Sequence, residues 1–196
     1  MKMWNEHFEL KGETVTLLPI SFEHIDGLWE AAKPDEIWTY MATTVRSKAE
    51  MEQMIASAIQ KREKGTEYTF TIINQEDKII GSTRYLDISP ENNSLEIGST
   101  WYHPDSWRTR VNTECKYLLL QHAFESWKVR RVQLKTDSRN LRSQKAIERI
   151  GALKEGTLRK DRKISGGYIR DTVFYSILDN EWETVKLNVG RKLGIK

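Results

Sequence analysis

The sequence WRTRVNTECKYLLLQHAFESW, Trp107–Trp127, decides the fold class, because it joins two strand-like segments through one helix. Leu120, Phe124 and Trp127 are spaced as on one face of a helix, which is predicted over Asn112–Trp127. The turn before this helix contains two arginines. The first N–H groups of a helix have no internal partner and carry partial positive charge, so the turn suggests an anion, such as phosphate, at this end.

The segments around this helix alternate between strand and helix patterns. Strands are predicted over Glu13–Ile20, Glu67–Asn74, Lys78–Ile88, Asn93–Tyr102, Val129–Asp137, Leu153–Leu158 and Asp171–Leu178. The other helices are predicted over Ser21–Ala32, Ser47–Gly65 and Asn140–Ala152. This order predicts one α/β domain over residues 1–196, whose sheet contains antiparallel hairpins and at least one right-handed parallel crossover through the helix at Asn112.

The composition is that of a globular protein and excludes several classes. The chain has 196 residues, of which 38% are hydrophobic and 30% charged, so disorder is not expected. One cysteine excludes an intramolecular disulfide framework, and the four histidines lack metal-ligand spacing, so no metal site is expected. No apolar run reaches signal-peptide or membrane-spanning length, which predicts a cytoplasmic protein without membrane contact.

The positive charge is concentrated in the second half of the chain. His103–Arg170 contains 17 Lys and Arg against 7 Asp and Glu, a net charge of +10, whereas the whole chain carries +3. Such a region suits nucleic acid or a phosphorylated cofactor, or is a solvated surface. Its sharpest basic run, Leu158–Arg170, is predicted to form a β-hairpin with a loop at residues 165–167, next to a substrate site or to a dimer partner.

Three longer segments carry a resemblance to a known family: LEIGSTWYHPDSWRTRVNTECKYLLLQHAFE, DSRNLRSQKAIERIGALKEGTLR and RDTVFYSILDNEW. Together they resemble the GNAT superfamily of N-acetyltransferases, in the branch with bacterial ribosomal-protein N-terminal alanine and serine acetyltransferases. The resemblance runs from about Glu13 to Trp182. It implies a mostly antiparallel sheet of six to seven strands with about four helices, splayed at its central parallel strands. It also implies direct transfer of acetyl from acetyl-CoA to a primary amine.

The resemblance places a pyrophosphate loop in the turn that opens the Asn112 helix. The implied cofactor-binding residues are Trp107, Arg108, Thr109, Arg110, Val111, Asn112 and Thr113. The family pattern, Q/R-x-x-G-x-G/A, is changed at Trp107, Arg110 and Asn112. Arg110 replaces a glycine that normally lets the backbone approach phosphate, so it either adds charge to the site or obstructs it.

Asn140 and Ser143 open the last predicted helix. By resemblance, Asn140 contacts the pantetheine arm or orients the site, and Ser143 protonates the departing thiolate. Both residues also fit simpler roles, an N-cap and a polar surface residue. The tyrosine that usually serves as the acid would fall at Ile147, which leaves Ser143, Tyr175 or water as proton donors.

Glu96 is the candidate general base, because the amine must lose a proton before it attacks a thioester. Strand alternation places Glu96 on one face with Gly98 and Thr100. The alternative interpretation is a structural salt bridge, for example with Arg84 on the neighbouring strand.

Trp38 and Tyr40 lie between the first two predicted helices, where the resemblance implies that the acceptor enters. These aromatic residues either pack on the acceptor or simply fill the core. The resemblance leaves the amine open between a protein N-terminus, such as that of a ribosomal protein, and a small molecule. A homodimer is also open. Two other functions remain as alternatives: a degenerate domain that binds CoA without catalysis, and an RNA- or ribosome-associated module.

Overall fold

The computed structural model describes residues 7–195, in which eight strands form one sheet. The strands are β1 (Leu10–Lys11), β2 (Val15–Pro19), β3 (Tyr68–Asn74), β4 (Ile79–Ser89), β5 (Ser94–Tyr102), β6 (Arg131–Asp137), β7 (Leu153–Lys163) and β8 (Ile169–Leu178). Their order across the sheet is β1-β2-β3-β4-β5-β6-β8-β7, and every neighbouring pair is antiparallel except β5 and β6. The mixed α/β class is confirmed. Residues 1–6 and 196 of the predicted domain lie outside the described residues.

Five α-helices accompany the sheet: α1 (Ile25–Ala32), α2 (Lys48–Glu63), α3 (Val111–Gln121), α4 (Leu141–Arg149) and α5 (Trp182–Leu193). Four of them match the predicted helices, and α3 continues into a π-helical turn at His122–Ser126. The helix α5 and the two-residue strand β1 were missed. Apolar residues three and four apart were available as a sign of α5, at Trp182, Val185, Val189 and Leu193.

The apolar core has two parts, on opposite faces of the sheet. Neighbouring residues of β5 show this, because Trp101 packs with α1 and α2, whereas Tyr102 packs with α3 and α5. The helix α5 therefore belongs to the α3 face, where Trp182 stacks on Phe124 with ring centroids 5.3 Å apart. The last residues of α5 reach the beginning of α3.

The two central parallel strands separate at their carboxyl ends. Pairing of β5 with β6 extends from Ser94 opposite Arg131 to Glu96 opposite Gln133 and then stops. Each strand continues beyond this point along its other neighbour. The opening that this creates is the splay that the resemblance implied.

A bulge in β5 reverses the side-chain faces just beyond the splay point. Gly98 lies opposite Arg84 and Trp101 opposite Ser82, so β5 has one more residue than β4 here, and Ser99 has a φ of +46°. The prediction that Thr100 shares a face with Glu96 and Gly98 is therefore wrong. The Thr100 hydroxyl instead lies on the α3 side.

Candidate functional site

The turn before α3 holds its unusual backbone at Arg108 rather than at the position where the family has glycine. Arg108 has a φ of +62°, in the left-handed region that favours glycine. Arg110 is the N-cap of α3, with a φ of −67° and a ψ of −22°, which any residue adopts. The backbone conformation at residue 110 thus does not require glycine, and the Arg110 side chain forms hydrogen bonds with Glu13 and Leu193.

The first turn of α3 presents backbone donors to a cleft. Val111 donates its N–H to Thr109 Oγ1 at 3.3 Å, and the first regular helical bond runs from Glu114 N–H to the Arg110 carbonyl at 2.9 Å. Within residues 7–195, no acceptor faces the N–H groups of Asn112 and Thr113. Together with the helix dipole, these groups favour a bound anion.

The cleft beside this turn has a volume of about 540 Å³ and is lined by four cations. Its lining residues are Arg108, Thr109, Arg110, Thr113, Arg149, Lys192 and Leu193. Arg149 at the end of α4 and Lys192 at the end of α5 were not found from the sequence, because only the folded chain brings these helix ends to α3. The cleft is therefore more basic than the turn alone indicates.

Arg110 holds two distant segments against this cleft. Its guanidinium donates to Glu13 Oε2 at 3.0 Å and to the Leu193 carbonyl at 2.5 Å. Trp107, at the other end of the turn, donates its indole N–H to the Tyr102 carbonyl at 3.0 Å. The Arg142 guanidinium lies 4.0 Å from the centre of the Trp107 ring. The turn is thus fixed from both ends.

Glu114 is a buried residue that the sequence did not single out. Its carboxylate accepts from the N–H of Glu13 at 2.5 Å and from the N–H of Thr14 at 2.9 Å, and also from the Thr14 hydroxyl. A Cβ at Gly12 would lie 2.5 Å from the same carboxylate. Glu114 therefore joins α3 to the β1–β2 turn, and a side chain at position 12 would have to displace its carboxylate.

Asn140 and Ser143 lie together at the start of α4. The Asn140 side chain accepts from the Ser143 backbone N–H at 3.0 Å, which is N-cap geometry. The Ser143 side chain is half-buried. The cap leaves Ser143 at the open end of the helix, with its hydroxyl on the first turn.

Tyr175, on β8, contacts the same helix farther along, at its middle and last turns. The Tyr175 hydroxyl donates to Glu148 Oε1 at 3.1 Å and lies 3.3 Å from Gln144 Oε1. Burial, reinforced by the Glu148 carboxylate, raises the pKa of Tyr175 to about 12. These contacts hold the proton on the phenol and are those of a residue that positions α4.

Glu96 lies at the point where β5 and β6 separate and is 2% exposed. Its Oε2 accepts from Lys135 Nζ at 2.7 Å and from Gln133 Nε2 at 3.1 Å. The expected alternative partner, Arg84, pairs with Glu67 at 3.3 Å instead. Glu96 is therefore ion-paired, but with β6 rather than with β4, across the mouth of the splay.

Lys116 is a second buried charge next to the splay, on the α3 side. Its ammonium donates to Thr100 Oγ1 at 2.7 Å. Burial lowers the pKa of Lys116 to about 8, although Cys115 and Glu96 act in the opposite direction. Its neighbour Cys115 is fully buried, and burial raises the pKa of its thiol to about 12.

The two predicted acceptor aromatics lie in different surroundings. Trp38 is 6% exposed, donates its indole N–H to the Ala32 carbonyl at 2.9 Å and packs on Trp101 in the α1–α2 core. The half-buried Tyr40 has its ring centre 5.6 Å from the Arg139 guanidinium, which also lies 3.6 Å from the centre of the Tyr168 ring. Tyr40 thus contacts the groups that surround the β7–β8 hairpin.

The β7–β8 hairpin contacts the loop between α1 and α2. The predicted hairpin and its loop at residues 165–167 are confirmed, with two register shifts along β7. Thr44 Oγ1 donates to Ser165 Oγ at 2.7 Å. Asp137, whose side chain is fully buried, holds Arg139 by two hydrogen bonds, at 2.7 and 3.0 Å. The hairpin therefore forms one wall above the splay.

Comparison with known proteins assigns this chain to one class. The family model described as "Acetyltransferase (GNAT) domain" matches residues 14–153. The chain belongs to this family and is an acetyltransferase. The resemblance drawn from the three quoted segments is confirmed.

Individual relatives agree with this assignment. An uncharacterised N-acetyltransferase of Bacillus licheniformis, p20, is 29% identical over 87% of this chain and 96% of its own. The ribosomal-protein-serine acetyltransferase of Escherichia coli is 21% identical over 86% of this chain and 96% of its own. The structure of a GCN5-related N-acetyltransferase from Brucella melitensis superposes with a TM-score of 0.87 and 28% identity, covering 95% and 85% of the two chains.

Two other kinds of feature are absent from the described residues. Among residues 7–195, no helix is both long and apolar enough to cross a bilayer. The same residues contain no group of three or more His, Cys, Asp or Glu side chains placed to hold a metal ion.

Proposed function

We propose that the chain transfers acetyl from acetyl-CoA to a primary amine, acting as a single domain in the cytoplasm. One observation carries this proposal. The strand β5 leads from Glu96 at the splay into a turn where unpaired N–H groups and four cations line one cleft. The phosphates of an acyl donor would thus bind at one end of β5, and the amine that accepts the acyl group would bind at the other end.

The cofactor side is built from the α3 turn and the start of α4. We assign the pyrophosphate to the N–H groups after Arg110, with Arg108 and Arg110 adding charge. Trp107, Thr109, Val111, Asn112 and Thr113 shape this turn. The pantetheine arm then leads towards Asn140 and Ser143. GNAT acetyltransferases use acetyl-CoA, which supplies an acetyl group activated as a thioester.

The reaction itself needs a base, an oxyanion donor and a proton for the thiolate. We assign the base to Glu96, which takes the amine proton directly or through water and exchanges its Lys135 contact as it does so. Backbone N–H groups freed where β5 leaves β6 hold the thioester oxygen. Holding both reactants in the splay supplies much of the rate by proximity.

The thiolate receives its proton from Ser143 or from water. Ser143 lies in the first turn of α4, next to the Asn140 cap, where the hydroxyl is half-exposed. Tyr175 is the weaker candidate, because its hydroxyl is hydrogen-bonded to Glu148 and its pKa is raised. A thiolate is a good enough leaving group that a weak donor suffices.

For the acceptor we favour the α-amine of a protein N-terminus, entering between Tyr40 and the β7–β8 hairpin. The named relative from Escherichia coli acts on serine of a ribosomal protein. Trp38 would support the wall of this entrance from within the core.

A thiol-release assay tests the proposal. Peptides that begin with Ser or Ala are compared with polyamines and amino acids at saturating acetyl-CoA, and acetyl-CoA binding is measured by calorimetry. The expected result is acetyl-CoA binding with release of free CoA in the presence of a peptide. Binding without turnover on any amine would favour a non-catalytic CoA-binding domain and contradict the proposal.

A further inference from the structure

We propose that Arg149 and Lys192 form a separate subsite for a phosphate monoester, which takes the 3′-phosphate of the CoA ribose. This inference rests on the proposed use of acetyl-CoA. It concerns the end of α4 and the end of α5, neither of which belongs to the turn assigned to the pyrophosphate. It would make the last turn of α5 a specificity element for the donor.

The two side chains are held in place by bonds between distant segments. Arg149 donates from Nη2 to Thr113 Oγ1 at 3.2 Å, across 36 residues. Lys192 donates from Nζ to the Arg149 carbonyl at 2.5 Å, across 43 residues. Three helix ends therefore meet at one point, with both cations on the wall of the cleft.

The charges in the cleft exceed what a pyrophosphate needs. Glu13 pairs with Arg110, but within residues 7–195 no carboxylate forms an ion pair with Arg108, Arg149 or Lys192. The start of α3 adds about half a positive charge. The C-terminal ends of α4 and α5 lie at the same point and together contribute about one negative charge. A pyrophosphate diester carries two further negative charges, so about half a positive charge remains unbalanced in the cleft. Cations held together without a counter-ion repel each other, and a second anion would relieve this.

The geometry of α4 assigns the second anion to the nucleotide end of the ligand. Asn140 and Ser143, placed along the pantetheine arm, lie at the start of α4, and Arg149 is its last residue. At 1.5 Å per residue, the two ends are about 12 Å apart. The pantetheine leaves the pyrophosphate in one direction, so the ribose lies in the other, towards Arg149 and Lys192.

A simpler role must be separated from this one. Lys192 lies in the last turn of α5, where a cation stabilises the helix dipole, and it also caps the last carbonyl of α4. Arg191 also lies in the last turn of α5, but it does not line the cleft. It therefore provides a matched control for charge and helix stability.

Calorimetry with two ligands, acetyl-CoA and 3′-dephospho-acetyl-CoA, tests the proposal on the wild type, R149Q, K192Q and R191Q. Thermal melts confirm folding. We expect the wild type to bind acetyl-CoA about ten- to a hundredfold more tightly than the dephospho ligand, which is the range expected for hydrogen bonds between charged groups. R149Q and K192Q should lose about tenfold of this preference while their affinity for the dephospho ligand stays constant. R191Q should match the wild type.

The opposing outcomes are distinct. Equal affinity of the wild type for both ligands overturns the subsite and leaves the proposed function intact. The same holds if R149Q and K192Q weaken both ligands equally, since that result reveals only a structural role. If neither ligand binds to the wild type, the proposed function fails and the subsite fails with it.

Discussion

The cofactor cleft and the acceptor side of the splay differ in whether their charged side chains form ion pairs within the protein. In the cleft, Arg108, Arg149 and Lys192 have no ion pair within the described residues 7–195. On the acceptor side, Glu96 is paired with Lys135 and the buried Asp137 with Arg139. Unpaired charges indicate a charged ligand, whereas paired ones indicate a self-sufficient structure. We therefore expect the donor to be recognised by charge and the acceptor chiefly by shape and hydrogen bonding.

The largest effect on turnover is expected for Glu96. This residue is also the exception to the comparison, because it is ion-paired and yet proposed to act as the base. E96Q should lower turnover by roughly 10²–10⁴-fold at low pH, where the amine is protonated and needs a base. The loss should shrink as the pH rises and neutral amine becomes available. A pH–rate profile of E96Q with the same shape as that of the wild type would remove Glu96 from the mechanism.

The cleft side is tested by its two arginines. R108A or R110A should weaken acetyl-CoA binding by about ten- to a hundredfold, more so at low salt. R110G restores the glycine of the family, but the backbone at residue 110 has no need of it. We therefore expect R110G to bind no more tightly than the wild type. Calorimetry decides, and a clear gain in affinity would mean that Arg110 obstructs the site.

Lys116 is a buried cation that does not line the cleft. Its replacement therefore measures how much the burial of a positive charge reduces the stability of the fold. Its pKa is about 8 when folded and about 10.5 when unfolded, so folding disfavours the protonated form. This penalty is fully present below pH 8 and disappears as the pH rises towards 10.5. K116M should therefore be more stable at pH 7 by about 2 kcal/mol, allowing for the lost bond to Thr100.

Denaturation of K116M and wild type by urea at pH 7 and pH 9.5 checks this expectation. The stability difference should be smaller at pH 9.5. A K116M protein that is less stable than the wild type at pH 7 would show that the hydrogen bond to Thr100 outweighs the burial of the charge.

The smallest effect is expected at Ser143, since water can replace its hydroxyl. S143A should lower turnover by about tenfold at saturating substrates, with acetyl-CoA affinity unchanged, because the Asn140 cap uses only the Ser143 backbone N–H. Wild-type turnover in S143A would reduce Ser143 to a polar helix residue.

Hydrophobic spacing was sufficient to predict most of the fold, because strands and helices bury regular faces. It could not place Thr100, since the bulge depends on a positive φ at Ser99, a residue type that seldom adopts one. The ion-pair partner of Glu96 also could not be predicted from the sequence, because it depends on the register of two parallel strands. Arg149 and Lys192 could not be recognised as cleft residues from the sequence, because only the folded chain brings the ends of α4 and α5 to α3.

The hydrogen bonds of Arg110 to two distant segments have a consequence for folding during translation. Arg110 joins Glu13, 97 residues before it, to Leu193, 83 residues after it. A ribosome adds these residues in order, so a nascent chain that already contains the whole turn still lacks one of its anchors. Until translation has passed Leu193, the growing polypeptide carries the motif without the assembled cleft, and we expect it to acquire affinity for acetyl-CoA only after that residue has left the exit tunnel.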